Sequence, residues 1–171
     1  MSEPSKREAI EGLFALYADE IYRYARYTLQ DHTEAKDVVQ EVFFRAFQRW
    51  DSFRHDSSYK TWLLTIARNY MYDLLRKKKT RLRILTQWFR KQEEVYTLSG
   101  VEDRMVLEES LALLKESYRQ VIILRQVQQL SVAETAEVLG WTEGKVRTTL
   151  HRALHRLREL TEGVDHDETG P

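Results

Sequence analysis

Helix-breaking residues are nearly absent from this chain of 171 residues, which has six glycines and only two prolines, Pro4 and Pro171. Proline and glycine disfavour a helix interior by about 3 and 1 kcal/mol relative to alanine. A chain with so few of them is expected to be helical along most of its length. Hydrophobic residues make up 42% of the sequence, enough for the cores of two small units. We predict an all-α fold of two small helical domains.

The composition and the side-chain spacing argue against several classes of chemistry. Because the chain has no cysteine, it can form no disulfide, thiolate metal site or cysteine nucleophile. His151 and His155 are spaced to share a metal, but no third ligand of the right kind is nearby in sequence. Neither a phosphate-binding glycine loop nor a nucleophile constellation is present. We therefore predict a protein that is not an enzyme and that uses no metal and no cofactor.

Membrane and secretion signals are also missing from the sequence. No apolar run approaches the ~20 residues that a membrane span requires. The N-terminal residues MSEPSKREAIEG lack the apolar segment of a signal peptide. The sequence predicts a soluble, cytoplasmic protein with no direct membrane insertion.

Charged residues are segregated along the chain, although the net charge is zero. Residues 68–91 carry nine Lys or Arg and one acid, whereas residues 93–116 carry seven acids and two bases. From Glu159 to the end there are five acids and no Lys or Arg. This pattern predicts basic working faces separated by acidic connectors, with an acidic tail over residues 161–171.

The stretch from Leu130 to Leu160 has the pattern of a helix-turn-helix. Ser131 and Glu134 form a capping-box pair at the start of a short helix, and Gly140 supplies the backbone freedom for a turn. Thr142 can cap a second, longer helix with an apolar stripe. The opposite side of that helix is basic and polar in its N-terminal half, the half that enters a major groove in this motif. Its exposed positions are Arg147, Thr148, His151 and Arg152.

Three helices are predicted before this motif, over residues 6–29, 31–50 and 59–79. The second helix has an apolar stripe and a polar side, and such a side ordinarily faces solvent. The residues on that polar side are Asp37, Gln40, Glu41 and Arg45.

The loop over residues 51–58 is rich in turn formers but contains Phe53 and Arg54. Phe53 either packs back onto the helices or contacts a ligand such as an unpaired base. The third helix is predicted to end in the cations Arg76, Lys77, Lys78 and Lys79. The helix dipole accounts for one or two of these cations, and the length of the run indicates phosphate contacts as well.

Residues 81–105 have weak periodicity and are interpreted as a flexible linker, whose first part can be helical. The role of its aromatic pair, Trp88 and Phe89, is left open by the sequence. Two further helices are predicted over residues 106–114 and 118–127. The second contains VIILRQV, the most hydrophobic run of this half of the chain, so we expect it to be the central buried helix of a four-helix domain.

Three motifs occur in order: DVVQEVFFRAF at 37–47, DSFRHDSSYKTWLLTIARN at 51–69 and GKVRTTLHRALHRLRE at 144–159. Together they resemble the extracytoplasmic-function (ECF) sigma factors of bacterial RNA polymerase, over nearly the whole chain. The resemblance implies sigma region 2 at residues 1–80, a linker at 81–105 and sigma region 4 at 106–160. It implies an alternative, stress-responsive sigma factor that reads −10 and −35 promoter elements.

The resemblance also assigns roles to the candidate residues. Asp37, Gln40, Glu41 and Arg45 match the face that binds the polymerase core of beta and beta-prime subunits. Phe53, Arg54 and Asn69, followed by Arg76 and Lys77, match the −10 DNA-binding surface, where an extruded base is stacked and hydrogen-bonded. Arg147, Thr148, His151 and Arg152 match the positions that read the −35 major groove. An anti-sigma factor, often membrane-anchored in the family, is implied as a further partner.

The chain departs from the family pattern at Lys36, at Leu114-Lys115 and in the segment TEGKVRTTLHR. The last segment resembles the sigma-X-like branch of bacilli. These changes affect the promoter sequence to be read, because Thr148, Thr149 and His151 lie on or beside the reading face. The alternative interpretation is a helix-turn-helix regulator with a helical sensory domain, which would bind duplex DNA alone as a dimer.

Overall fold

The computed structural model describes residues 4–88 and 102–165. Within these ranges the chain forms α-helices, one short 3₁₀ helix and one π-helical turn, and no β-strand. The all-α prediction is confirmed. The α-helices are α1 (Lys6–Leu29), α2 (His32–Arg49), α3 (Tyr59–Trp88), α4 (Glu102–Leu113), α5 (Glu116–Ile122), α6 (Val132–Leu139) and α7 (Glu143–Asp165). The 3₁₀ helix Trp50–Ser52 follows α2, and the π-helical turn Ile123–Val127 extends α5.

Capping residues set the boundary between α1 and α2. Gln30 adopts a left-handed conformation with φ of 60°, and its N–H donates to Arg26 O, which ends α1. Asp31 immediately begins α2, since its side chain accepts a hydrogen bond from the N–H of Glu34 at 2.8 Å. The two helices therefore form a tight hairpin, with the predicted bounds to within one residue.

The first three helices bury a shared core. Its largest fully buried side chains include Ile21 and Tyr24 of α1, with Leu63 and Leu64 of α3. Two aromatic residues with the helical spacing of the apolar stripes, and so expected to face inward, are not buried: Phe14 is 48% exposed and Phe47 is 42% exposed. The Lys6 ammonium lies 4.7 Å above the Phe47 ring, and Phe14 packs edge-on against Phe43. Both rings therefore contact a neighbouring side chain while remaining partly exposed to solvent.

Helix α3 is longer than the sequence predicted. It continues nine residues beyond Lys79, to Trp88, so the first part of the predicted linker is helical. No glycine or proline interrupts residues 80–88, and the helix is therefore free to propagate. Phe89 and residues 90–101 of the predicted linker lie outside the described residues, as does the tail beyond Asp165. The last part of the predicted linker, residues 102–105, belongs instead to α4.

The second group of helices surrounds the apolar run at 121–124. Val121, Ile122, Ile123 and Leu124 are all at most 3% exposed, which confirms this segment as the central buried one. The π-helical turn then widens the helix, with Gln128 N–H donating to Ile123 O at 2.9 Å. Left-handed Gln129, with φ of 56°, redirects the chain into α6.

The two groups of helices pack against each other. Helices α1 and α3 of the first group contact α6 and the π-helical turn of the second. Their buried apolar residues form one continuous cluster. The closed arrangement places polar side chains of α4 and α5 against α1, including Gln120 against Tyr24.

Candidate DNA-binding and partner-binding surfaces

The helix-turn-helix is built by the caps that the sequence predicted. Ser131 Oγ accepts from Glu134 N–H at 3.1 Å, and the Glu134 carboxylate accepts from Ser131 N–H at 2.7 Å. Gly140 ends α6 with φ of 65°. Thr142 Oγ1 then accepts from Lys145 N–H at 3.2 Å and starts α7. Short-range hydrogen bonds thus set the angle at which α7 leaves α6.

Helix α7 separates a buried stripe from an exposed basic face. Val146 and Ala153 are fully buried, whereas the four predicted reading residues, Arg147, Thr148, His151 and Arg152, are all exposed. Arg147 pairs with Glu143 at 2.9 Å along the helix. An exposed pair of this kind contributes about 0.3–0.5 kcal/mol and is readily exchanged for a phosphate. The N-terminal half of α7 therefore has an exposed basic face.

Lys145 extends this basic face and was not singled out from the sequence. Its ammonium lies 4.2 Å above the ring of Trp141, the first residue after the turn. Residues 145, 148 and 152 share one side of the helix, because they are three and four residues apart. The spacing of four between Trp141 and Lys145 was the signal that could have identified this residue.

The loop before α3 contains an aromatic cluster. Phe53 stacks on Trp62 with ring centroids 4.4 Å apart and an interplanar angle of 26°. The ring centroids of His55 and Tyr59 lie 4.5 and 5.3 Å from that of Phe53. Phe53 is half-buried, so it does pack back onto the helices, while its remaining exposed part is available to a ligand. Arg54 beside it is exposed.

Asn69 lies on the same side of α3 as this cluster. It follows Trp62 by seven residues, which is two helical turns or about 10 Å along the axis. Asn69 is exposed, and its Oδ1 accepts from Arg68 Nη1 at 3.2 Å. The Arg68 guanidinium also lies 4.1 Å above the ring of Tyr72. The Asn69 amide and the Trp62 ring, on which Phe53 stacks, therefore lie on one side of α3.

The basic run after Asn69 lies inside α3 and not at its end. The interpretation that these cations complement a helix C-terminus is therefore wrong, because α3 ends nine residues later. Lys78 and Lys79 pair with Glu34 and Glu116, at 2.6 and 3.3 Å. Arg76 pairs with Asp73 along the helix at 2.7 Å, and Lys77 forms no ion pair within the described ranges. Both Arg76 and Lys77 are exposed.

The polar side of α2 is partly ordered by its own contacts. Asp37 and Gln40 are exposed, whereas Glu41 and Arg45 are half-buried and pair at 2.6 Å. The Arg45 guanidinium lies 4.8 Å above the ring of Tyr70. Burial raises the pKa of Tyr70, and the nearby Glu41 carboxylate adds to this effect. Glu41 and Arg45 therefore form a pair of charges of fixed orientation at the surface.

Phe44 lies on this polar side and was missed in the sequence. It is 57% exposed and follows Gln40 by four residues and Glu41 by three. An exposed aromatic among ordered polar groups has the composition of a binding hot spot. Helical spacing was the signal, because a residue three and four positions after Glu41 and Gln40 lies on the same side of the helix as they do.

Between residues 4 and 88 and between 102 and 165, no group of three His, Asp or Glu side chains is arranged to hold a metal ion. His155 instead approaches Glu159 at 3.4 Å. Across the same residues, no helix has the length and apolar character needed to cross a membrane.

Family comparisons match both groups of helices. The family described as sigma-70 region 2 matches residues 13–81, and the family described as sigma-70, region 4 matches residues 104–157. The chain therefore belongs to the sigma-70 family of transcription initiation factors.

Individual relatives narrow the class. The ECF RNA polymerase sigma factor SigX of Bacillus subtilis is 35% identical, over 91% of this chain and 84% of that protein. The RNA polymerase sigma factor YlaC of the same organism is 38% identical, over 90% of this chain and 92% of its own length. This chain belongs to the ECF sigma factors, the class of sigma factors that directs RNA polymerase to alternative promoters.

Solved structures agree with this assignment. The sigma factor RpoE from Bartonella quintana, in complex with the anti-sigma factor NepR, superposes with a TM-score of 0.76 at 27% identity. The superposition covers 89% of this chain and 96% of that one. CnrH, in complex with the cytosolic domain of CnrY, gives 0.70 at 26% identity over 92% of this chain and 90% of its own. A helix-turn-helix regulator with a sensory domain is not favoured, because α1–α3 match sigma region 2.

Proposed function

We propose that this sigma factor binds RNA polymerase core through α2 and reads a promoter at two places. The observation that carries the proposal is the presence of two separate exposed surfaces suited to nucleic acid in one chain of this family. One is the basic face of α7, and the other combines the Phe53 loop with α3. The beta and beta-prime subunits, promoter DNA and an anti-sigma factor are the partners.

At the −35 element, α7 enters the major groove with the N-terminal half of its basic face. Arg147 and Arg152 take a guanine edge or the adjacent phosphates, which Arg can contact with two parallel hydrogen bonds. Thr148 and His151 contact neighbouring base edges. Lys145, held over Trp141, adds a phosphate contact that fixes the register of the helix.

At the −10 element, the Phe53 loop and α3 capture a base extruded from the melted strand. Phe53, backed by Trp62, offers a stacking surface, and Asn69 supplies donors and acceptors for the base edge. Arg54, Arg76 and Lys77 neutralise the flanking phosphates. The binding energy gained on the extruded strand drives the melting.

The polar side of α2 binds the polymerase core. Glu41 and Arg45 give a charge pair of fixed orientation, and Phe44 gives an apolar anchor between them and Gln40. In this role the chain contributes binding, and phosphodiester chemistry belongs to the polymerase. It acts in the cytoplasm, where the polymerase and the promoter are found.

A library experiment tests this proposal. Purified protein is mixed with polymerase core and a pool of templates with randomised −35 and −10 positions, and the 5′ ends of the transcripts are sequenced. We expect transcripts enriched for two sequence blocks at fixed spacing. If adding the protein produced no specific transcripts, the proposed function would be wrong.

A further inference from the structure

His55 has a backbone conformation that glycine adopts more easily than any other residue. Its φ is 58°, in the left-handed region. Gln30 and Gln129 also have positive φ, but they lie at the ends of helical segments, where a left-handed residue commonly stops a helix. His55 lies within the loop between the 3₁₀ helix and α3. Histidine tolerates this region better than most residues, yet its Cβ still strains the backbone, so we expect the side chain to have a role of its own.

The His55 ring is the outermost member of the aromatic cluster at this loop. Phe53, Tyr59 and Trp62 are half-buried, whereas His55 is exposed. Its ring centroid lies 4.5 Å from that of Phe53. It also lies 5.7 Å from that of Tyr59, and these two rings meet edge to face at an interplanar angle of 83°. Two ring contacts thus hold the imidazole in a defined position at the surface.

The nitrogens of the His55 imidazole are available to a ligand. Among the residues that the structure describes, His55 contacts the two rings, and neither of its nitrogens forms a hydrogen bond. His32, in contrast, uses both nitrogens, with Tyr22 Oη at 2.5 Å and Arg26 Nε at 3.2 Å. A neutral imidazole has one donor and one acceptor. His55 therefore offers both kinds of hydrogen bond beside the ring of Phe53.

The tilt of the His55 ring suits it to meet the edge of a stacked base. Trp62 lies against Phe53 at an interplanar angle of only 26°, so a base stacked on the exposed part of Phe53 would continue this column of rings. The His55 ring is inclined by 60° to Phe53 and cannot join the column as a parallel ring. It can instead meet the base with its own edge, where the two nitrogens lie.

We propose that His55 is a specificity-determining residue for the −10 element, through a hydrogen bond from an imidazole nitrogen to the edge of the base stacked on Phe53. The ligand is an unpaired nucleobase, whose edge is free for hydrogen bonding only in a melted strand. A glycine at this position would form the same turn without strain but would leave the base edge without this contact. The inference rests on the proposed function, because it adds a residue to the same −10 site.

Transcription from templates with an unpaired −10 region tests this role. Full-length protein and polymerase core are assayed on templates in which the most strongly selected −10 position of the library experiment carries each of the four bases or an abasic nucleotide. The unchanged chain is compared with His55→Gly, which has no side chain, and with His55→Phe, which keeps a ring without nitrogens. Asp56→Ala is the matched control, because Asp56 is exposed next to His55 in the same loop.

The measured quantity is the ratio of transcription from the preferred base to transcription from the abasic template. We expect this ratio to fall about three- to tenfold in His55→Gly and His55→Phe, which corresponds to the loss of one hydrogen bond. The ratio should be unchanged in Asp56→Ala. An effect of a substitution on folding or on core binding lowers transcription from both templates alike, so it cancels in the ratio.

Two outcomes would overturn the role of His55. One is a ratio in His55→Gly that equals the ratio of the unchanged chain. The other is a full ratio in His55→Phe, because a ring without nitrogens would then be sufficient. If transcription by the unchanged chain did not depend on the base at this position, the proposed −10 function itself would be wrong, and the inference would fall with it.

Discussion

Arg119 shows how a single side chain organises several helix ends. Its Nε donates to Leu111 O at 2.8 Å, and its Nη2 donates to Ala112 O and Leu114 O, both at 3.0 Å. Its Nη1 reaches Thr28 O in the last turn of α1 at 3.2 Å. The negative C-terminal ends of α4 and α1 thus converge on one guanidinium. Burial lowers the pKa of Arg119, and nearby Glu116 opposes this effect.

Substituting Arg119 tests this arrangement. Arg119→Ala should lower the free energy of unfolding by about 2–3 kcal/mol, because helix-end carbonyls lose a charged donor. Arg119→Lys keeps the charge but cannot reproduce the planar fork, so it should recover only part of the loss. Urea unfolding followed by circular dichroism measures both. Equal stability of the lysine variant and the unchanged protein would refute the role of the fork.

At Gly140 the backbone conformation determines which residue the position tolerates. It has φ of 65° at the end of α6, and a Cβ added there would meet no atom within 4 Å. Gly140→Ala should therefore cost about 1 kcal/mol from backbone strain alone, without any clash. Gly140→Asn should cost less, because asparagine tolerates the left-handed region better. Thermal unfolding of the two variants distinguishes strain from crowding, which would penalise the larger asparagine more.

At the scale of the element, helices α2 and α7 each have a buried apolar stripe on one side and an exposed polar or basic face on the other. In α7 the division follows the sequence closely, because Val146 and Ala153 are buried and the predicted reading residues are exposed. In α2 the exposed side also contains Phe44, an aromatic residue among polar ones. Periodicity places Phe44 on that side as well, but its apolar character led us to leave it out of the polar face.

Phe44→Ala should weaken binding to polymerase core by about 1–2 kcal/mol, because an exposed aromatic anchor is lost from the proposed interface. Stability should change little, since Phe44 is 57% exposed. Leu16→Ala is the matched control, because Leu16 is another large apolar residue, 68% exposed, on α1. Titration of labelled protein with core measures the affinities. A similar loss for both variants would contradict a specific role for Phe44.

Arg152→Ala should cost about 1–3 kcal/mol of binding at the −35 element, because a bidentate contact to a base or phosphate is lost. Affinity for polymerase core should be unchanged, since Arg152 lies on α7, far along the chain from α2. Competition between promoters with intact and altered −35 sequences gives the first quantity, and core titration gives the second. An equal fall in core affinity would show that α7 has been assigned to the wrong partner.

Asn69→Ala should relax the preference at the −10 element without unfolding the domain, because Asn69 is exposed on α3 and bonds only to its neighbour Arg68 within the described residues. The preference is measured as relative transcription from templates with each base at the captured position. Circular dichroism checks that the helices persist. An unchanged base preference would exclude Asn69 from the proposed pocket.

At the scale of the whole molecule, the sequence predicted the helices better than their ends and contacts. Caps at Asp31, Ser131 and Thr142 fixed three helix starts, because these are local hydrogen bonds. The end of α3 was predicted too early, since cations often mark a helix C-terminus but here lie mid-helix. The contact between the two groups of helices could not be predicted. Gln120 Nε2 donates to Thr28 Oγ1, 92 residues away in the chain, and nothing in the local sequence around either residue indicates this bond.

The central claim is that one chain, once bound to polymerase core, grips a promoter at two separate places and melts one of them. Footprinting with and without core tests it most directly, with permanganate added to detect unpaired thymines. We expect protection centred about 25 base pairs apart, with reactive thymines only at the −10 side and only when core is present. Protection of a paired, palindromic duplex site by the protein alone, with no reactive thymines, would contradict the account.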